Sequence, residues 1–215
     1  MGRFILGDSL AILPTFPDAC VDFVLTDPPY LVNYVDRSGR AIANDVQGDW
    51  LRPAFSQIRR VMRPNTLCVS FYGWNKVDMF FDAWKAAGLR VIGHIVFSKN
   101  YASKSRFLRY QHESAYLLAK GNPVLPADPL PDVLGWSYSG NRHHPTQKPV
   151  PQLSQLIESF SRPNDIVLDP FAGSASTCVA AHQLGRRFLG IEMDPQYHAA
   201  GVRRLQQANT REVAN

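Results

Sequence analysis

The sequence predicts an α/β fold on a mostly parallel sheet. Three observations carry that expectation. Short apolar runs alternate with stretches of helical period along the chain. Apolar residues make up 45% and charged residues 19% of the 215, a globular composition. One apolar run ends in Asp27-Pro28-Pro29-Tyr30, and two consecutive prolines cannot continue a central strand, because neither donates to the ladder. That motif therefore sits on a loop just past a strand's C-terminal end, the edge where open α/β sheets bind ligands.

The elements follow in order. Residues 4–6 read as a strand closed by Gly7-Asp8, and residues 21–25 as the strand that feeds Asp27. Residues 31–49 are polar and without period, and read as a mobile loop. Residues 50–62 place Phe55, Ile58, Val61 and Met62 at helical spacing. A strand is expected over 67–72 and a helix over 77–87, stopped by Gly88. Residues 89–97 and 114–119 form two strands that suit an antiparallel pair around a basic loop. Residues 121–145 carry five prolines and read as a loop, with 121–143 a short insertion in a single domain, 1–215. A helix over 149–160, a strand over 166–168, a helix over 177–184, a strand over 188–191 and a terminal helix over 195–206 complete the chain, with the last residues fraying.

Cys20, Cys68 and Cys178 are odd in number and in no paired spacing, which argues against disulfides and against a zinc site. Each lies in an apolar stretch and reads as a buried thiol of a reducing compartment. No run approaches the roughly 18 apolar residues of a membrane span, and the first residues lack the apolar core of a signal peptide. A cytoplasmic protein is expected. The net charge of +5 is consistent with a polyanionic partner but is weak evidence alone.

Two constellations carry chemistry. In the first, a strand enters the turn Asp169-Pro170-Phe171-Ala172-Gly173-Ser174, a helix follows, and the next strand ends at Glu192, 23 residues after Asp169. In Rossmann-like units a turn glycine lets the backbone approach the ligand, and an acid about 20 residues on grips ribose hydroxyls. One glycine is too few for a pyrophosphate cradle, so a nucleoside cofactor fits better than a dinucleotide. A plain strand–turn–helix unit with a solvated Glu192 is the competing reading.

The second constellation is Asp27-Pro28-Pro29-Tyr30. The amino nitrogen of adenine is a poor nucleophile, because its lone pair is delocalised into the ring. Asp27 and the Pro28 carbonyl, accepting its two N–H bonds, would free that lone pair. Tyr30 offers a face for a base taken out of the duplex. An ordinary proline-rich turn capped by aspartate is the plainer reading.

Together these motifs resemble the DNA amino-methyltransferases that act on adenine-N6 or cytosine-N4, in the group where D-P-P-Y precedes D-P-F-x-G. Gly7-Asp8-Ser9-Leu10 is similar to the family's G-D-x-L, which sets Asp8 and Ser9 near the cofactor. His144-Pro145-Thr146-Gln147-Lys148-Pro149 matches H-P-T-Q-K-P, which implies that His144, Thr146, Gln147 and Lys148 cover the cofactor's methionine end. The resemblance implies a Rossmann-like S-adenosylmethionine-dependent fold of permuted motif order, double-stranded DNA as partner, base flipping and no metal. The first residue of the catalytic motif is Asp, where cytosine-N4 members often carry Ser, so adenine-N6 is the expected target and cytosine-N4 the competing one. A carbon-5 cytosine enzyme is disfavoured, since its nucleophilic cysteine usually follows a proline and no cysteine here does. A non-catalytic DNA-binding relative, and an RNA or small-molecule methyltransferase, are the readings from other classes.

The chain departs from the family at Ala175-Ser176, where Gly-Thr is common. If position 175 needs positive φ, alanine there crowds the cofactor. Basic residues interleaved with aromatics over 99–110, namely Lys99, Lys104, Arg106 and Arg109, suit phosphate contact. Arg37 and Arg40 follow Tyr30 and would lie near a bound strand. A solvated loop is the other reading of this region. So short a recognition segment implies recognition that is compact or shared across a homodimer.

Overall fold

The computed structural model describes residues 2–34, 39, 45–102, 107–138, 140, 144 and 146–213. Eight strands form one sheet: β1 (Arg3–Leu6), β2 (Val21–Thr26), β3 (Met62–Phe71), β4 (Arg90–Lys99), β5 (His112–Lys120), β6 (Val133–Trp136), β7 (Ile166–Asp169) and β8 (Arg187–Glu192). Their order is β1-β8-β7-β2-β3-β5-β4-β6. Only β5 runs against its neighbours, pairing antiparallel with β3 and β4, while the other pairings are parallel. The expected α/β class and the antiparallel hairpin are both present.

Helices cover both faces. On one lie α1 (Ser9–Ile12), α2 (Leu51–Val61) and α3 (Val77–Ala86); on the other lie α4 (Val150–Phe160), α5 (Ser176–Gln183) and α6 (Pro195–Val213). Strand alternation splits the core accordingly. Phe23 and Leu25 of β2 pack with Leu153, Leu156 and Ala180, whereas Val24 between them packs with Phe55, Ile58 and Trp84. In α2 the buried positions Leu51, Ala54, Phe55, Ile58 and Val61 follow the helical period. Fully burying a side chain such as Phe55 contributes roughly 1.5–3 kcal/mol. Small residues let α5 sink into the sheet: a Cβ on Gly190 would lie 2.5 Å from Cys178 Sγ.

Four expectations need correction. The stretch 121–145 is not loop throughout: β6 lies within it, parallel to β4 from Val96↔Val133 to Lys99↔Trp136. β3 begins at Met62 rather than 67, because its register with β2 jumps from Val21↔Met62 to Phe23↔Leu67 across a bulge, with Asn65 at φ 60°. The terminal helix runs to Val213, since Leu205 and Ala208 keep a face buried in the core. Cys68 and Cys178 are buried, but Cys20 is only half-buried.

Candidate active site

The C-terminal ends of the parallel strands converge on one cleft. β2 delivers Asp27 to Tyr30, β7 delivers Asp169 to Gly173, β8 delivers Glu192, and the turn after β1 delivers Asp8 and Ser9. The cleft wall holds Asp8, Ser9, Asp27, Pro28, Pro29, Tyr30, His144, Thr146, Pro170, Phe171, Gly173 and Glu192. Twelve residues from four separate motifs of the sequence thus share one wall.

The other predicted cofactor residues, Gln147, Lys148, Asp169, Ala172 and Ser174, line a second cavity that shares Asp27, His144, Thr146, Phe171 and Gly173 with the cleft. Ser174 is buried, and its hydroxyl and carbonyl accept from Arg204 of α6, which fixes the start of α5. Asp169 accepts from the Phe171 amide at 3.1 Å. Burial pushes its carboxyl up to about 7. Lys148 does not face the cleft; its Nζ lies 2.7 Å from Asp27 Oδ2. The lysine of the histidine–proline motif is thus paired with the aspartate of the Asp27-Pro28-Pro29-Tyr30 motif.

The turn after β7 is shaped by its backbone. Gly173 sits at φ 51°. Glu192 accepts from the Gly173 amide through Oε2 and from the Asp194 amide through Oε1, each at 2.8 Å. Burial raises its carboxyl above the usual range, opposed by those amides. Both oxygens keep a lone pair for a ribose hydroxyl. Glu192 is thus half-buried and engaged by two amides, not the freely solvated acid of the plainer reading. Ser9 Oγ donates to the Pro170 carbonyl, and Asp8 caps α1 through the Leu10 amide at 2.9 Å. His144 is wedged against Tyr197 with ring centroids 4.3 Å apart, and accepts from the Thr146 amide at 3.3 Å.

Position 175 does adopt positive φ, at 65°. Ala175 is fully buried and absent from the cleft wall, so its methyl lies off the cleft.

At Asp27 the geometry is closed. Tyr30 OH donates to Asp27 Oδ1 at 2.8 Å, and Lys148 Nζ donates to Tyr30 OH at 3.1 Å. Burial raises the Asp27 carboxyl, while Lys148 and the Tyr30 hydroxyl pull it down. Burial and the Asp27 charge push the Tyr30 phenol well up. Gly73, after β3, buttresses Tyr30 so closely that a Cβ there would lie 2.5 Å from the Tyr30 carbonyl oxygen.

The basic stretch is divided. Lys99 is a correction: its side chain is 5% exposed and paired with Glu113, so it is not a surface phosphate contact. Arg109 is exposed. Arg37, Arg40, Lys104 and Arg106 lie outside the described residues. Sequence reading missed Trp74, which is 65% exposed and stacks on Tyr110 with centroids 6.2 Å apart. It also missed Asp45, Asp194 and Tyr197 of the cleft wall, none of which stands in a motif.

The cleft is acidic. Asp8, Asp27, Asp45, Asp194 and Glu192 line it, and no lysine or arginine among the described residues does, although the chain carries net charge +5. Such a site favours a cationic ligand over a phosphorylated one. Phe171, Ile191 and Met193 supply apolar wall for a purine. The residues present fit S-adenosylmethionine, which carries a sulfonium and no phosphate.

Fold and site together define a nucleoside-cofactor enzyme of the methyltransferase class. The chain belongs to the DNA methylase family, whose N6/N4 profile matches residues 21–203. Escherichia coli (strain K12) YubD is 62% identical over 205 residues, covering 95% of this chain and 90% of that protein. The DNA adenine methyltransferase YhdJ of the same organism is 29% identical over 247 residues, covering 95% of this chain and 83% of its own. Among solved structures, the M1.HpyAVI–SAM complex superposes with TM-score 0.76 at 25% identity over 95% of this chain and 99% of that one. PvuII DNA methyltransferase, named as cytosine-N4-specific, superposes with TM-score 0.77 at 19% identity over 97% and 90%, a likeness of fold.

Proposed function

We propose that this DNA methyltransferase acts on adenine-N6 in double-stranded DNA, by direct transfer to a base turned out of the helix. One observation carries the reading: a half-buried Asp27 carboxylate, held by Lys148 and Tyr30, lies on the same cleft as Glu192. Glu192, Asp8 and the Gly173 turn hold the cofactor. Bound there, S-adenosylmethionine supplies an electrophilic methyl group.

The chain's own residues prepare the acceptor. Asp27 accepts one N–H of the target amino group, and the Pro28 carbonyl accepts the other. Both acceptors favour a tetrahedral nitrogen whose lone pair is free to react. Tyr30 provides the stacking face, and its hydroxyl bond to Asp27 keeps ring and carboxylate in register. The amino proton leaves to solvent. Positioning of this kind supplies roughly 7–11 kcal/mol in favourable cases.

Exposed Trp74 and Arg109 and half-buried Tyr110 lie on the same sheet edge as Asp27, because β3 ends and β5 begins there. An aromatic pair beside a cation suits base stacking and phosphate contact. The relation to YhdJ favours adenine. Methyl transfer from labelled S-adenosylmethionine to mixed-sequence duplex DNA, with nucleoside analysis, tests the reading. Labelled N6-methyladenine is expected. Labelled N4-methylcytosine alone would move the target to cytosine, and absent transfer with absent cofactor binding would leave a non-catalytic DNA-binding protein.

A further inference from the structure

The cation beside the catalytic carboxylate comes from 121 residues further along the chain. Lys148 Nζ contacts Asp27 Oδ2 at 2.7 Å and Tyr30 OH at 3.1 Å, and Tyr30 OH contacts Asp27 Oδ1 at 2.8 Å. The three side chains close a triangle. The side chains of Lys148 and Asp27 are only 8% and 20% exposed, so solvent screens the pair weakly. The ammonium also sits 5.1 Å from the Tyr30 ring centroid and 4.9 Å from that of Phe71. Lys148 lines the second cavity, which shares Asp27 with the cleft.

We propose that Lys148 is a positioning residue for methyl transfer: its buried ammonium keeps Asp27 anionic and aimed at the target amino group. This rests on the reading of Asp27 as the amino-group acceptor. A protonated carboxyl would present a donor where the reaction needs an acceptor.

The surroundings work against the anion. Burial and Glu113 of β5 both raise the Asp27 carboxyl. Asp169, at the end of β7, interacts with Asp27 in the same unfavourable sense. Glu113 is itself partly neutralised by Lys99. Against these stand Lys148 and the Tyr30 hydroxyl. Lys148 precedes α4, and the Asp27 loop follows β2, so the triangle also ties the two segments that frame the cleft floor.

The test uses the full chain with Lys148→Met, Lys148→Gln and Lys148→Arg. Asp27 is titrated through its carboxyl carbon by NMR in protein free of donor and DNA. Cofactor affinity is measured by calorimetry, and single-turnover methyl transfer is followed across pH. In the wild type, Asp27 is expected to be ionised at pH 7. In the Met and Gln variants its titration moves upward by about one unit or more, and transfer falls about tenfold for each unit by which the assay pH lies below the new midpoint, recovering at higher pH. Lys148→Arg restores the lower titration, and cofactor affinity stays near wild type throughout.

A wild-type Asp27 protonated at pH 7, or a titration unmoved by loss of the ammonium, overturns the proposal. So does a large loss of cofactor affinity with an unchanged pH profile, which would make Lys148 a cofactor ligand. Wild-type titration needs no variant to fold. Because it is read without substrate, it judges Lys148 even where product analysis moves the target from adenine.

Discussion

The methyl group of Ala175 faces Gly201 of α6: a Cβ placed on Gly201 would lie 2.9 Å from it and would also strike the Phe4 ring. Alanine at the left-handed position costs about 1–2 kcal/mol of strain, and the missing side chain at 201 is what makes room for it. Gly201→Ala is expected to destabilise the fold by about 1–3 kcal/mol, a typical overpacking cost. Ala175→Gly in that background should recover only part, because Phe4 remains in the way. Urea denaturation of the two single variants and the double variant checks this. Cofactor affinity of Ala175→Gly should match wild type, since the methyl is outside the cleft.

Glu192 holds the cleft's shape and, in the proposed function, also binds the cofactor. Glu192→Ala removes an acceptor from the Gly173 and Asp194 amides. Hydrogen bonds to charged groups contribute about 1.5–3 kcal/mol, so cofactor affinity should fall tenfold or more. Calorimetry with S-adenosylmethionine reads it, and unchanged affinity would remove Glu192 from the site. Asp27→Ala should show the opposite pattern, with transfer abolished and cofactor binding retained.

Trp74 should matter for DNA and not for cofactor. Stacking contributes roughly 1–3 kcal/mol per base, so Trp74→Ala is expected to weaken duplex binding five- to a hundredfold. Arg109→Ala should weaken it less and flatten its salt dependence. Fluorescence anisotropy with labelled duplex at two salt concentrations separates the two effects. Equal DNA affinity of Trp74→Ala and wild type would take this edge out of the interface.

Asp169 ties stability to pH. Its ordinary value is 3.8, and in the fold it is raised to about 7. Below the unfolded value both states are protonated, and the group is neutral to stability. As pH rises toward 7, the unfolded chain releases the proton while the folded one retains it, so stability falls across that window and levels off above it. Denaturant midpoints from pH 5 to 8 should show this slope in wild type and a shallower one in Asp169→Asn.

Much of the fold was legible because local chemistry marks it. Paired prolines end β2, Gly88 stops α3, and small residues crowd α5. The missed strand β6 has four residues after a proline-rich stretch, too short for a period to show. At the site, Asp27, Tyr30, Gly173 and Glu192 were readable because each stands in a motif whose spacing has a mechanical reason. Lys148 stands in a motif too, but its partner lies far back in the chain, and a tertiary contact leaves no periodic trace. Trp74 and Asp45 are single residues whose roles come from exposure and burial, which sequence does not display. The basic stretch misled for the same reason: nothing local distinguishes inward Lys99 from outward Arg109.

Asp45 is almost fully buried, and its carboxylate collects the amides of Leu31 at 2.6 Å, Val32 at 3.3 Å and Tyr34 at 2.7 Å. One carboxylate thus satisfies three backbone amides that lie outside any strand or helix, directly after the catalytic motif. Asp45 serves there as the anchor that a hydrogen-bonded ladder supplies elsewhere, so the stretch after Tyr30 owes its path to a single side chain.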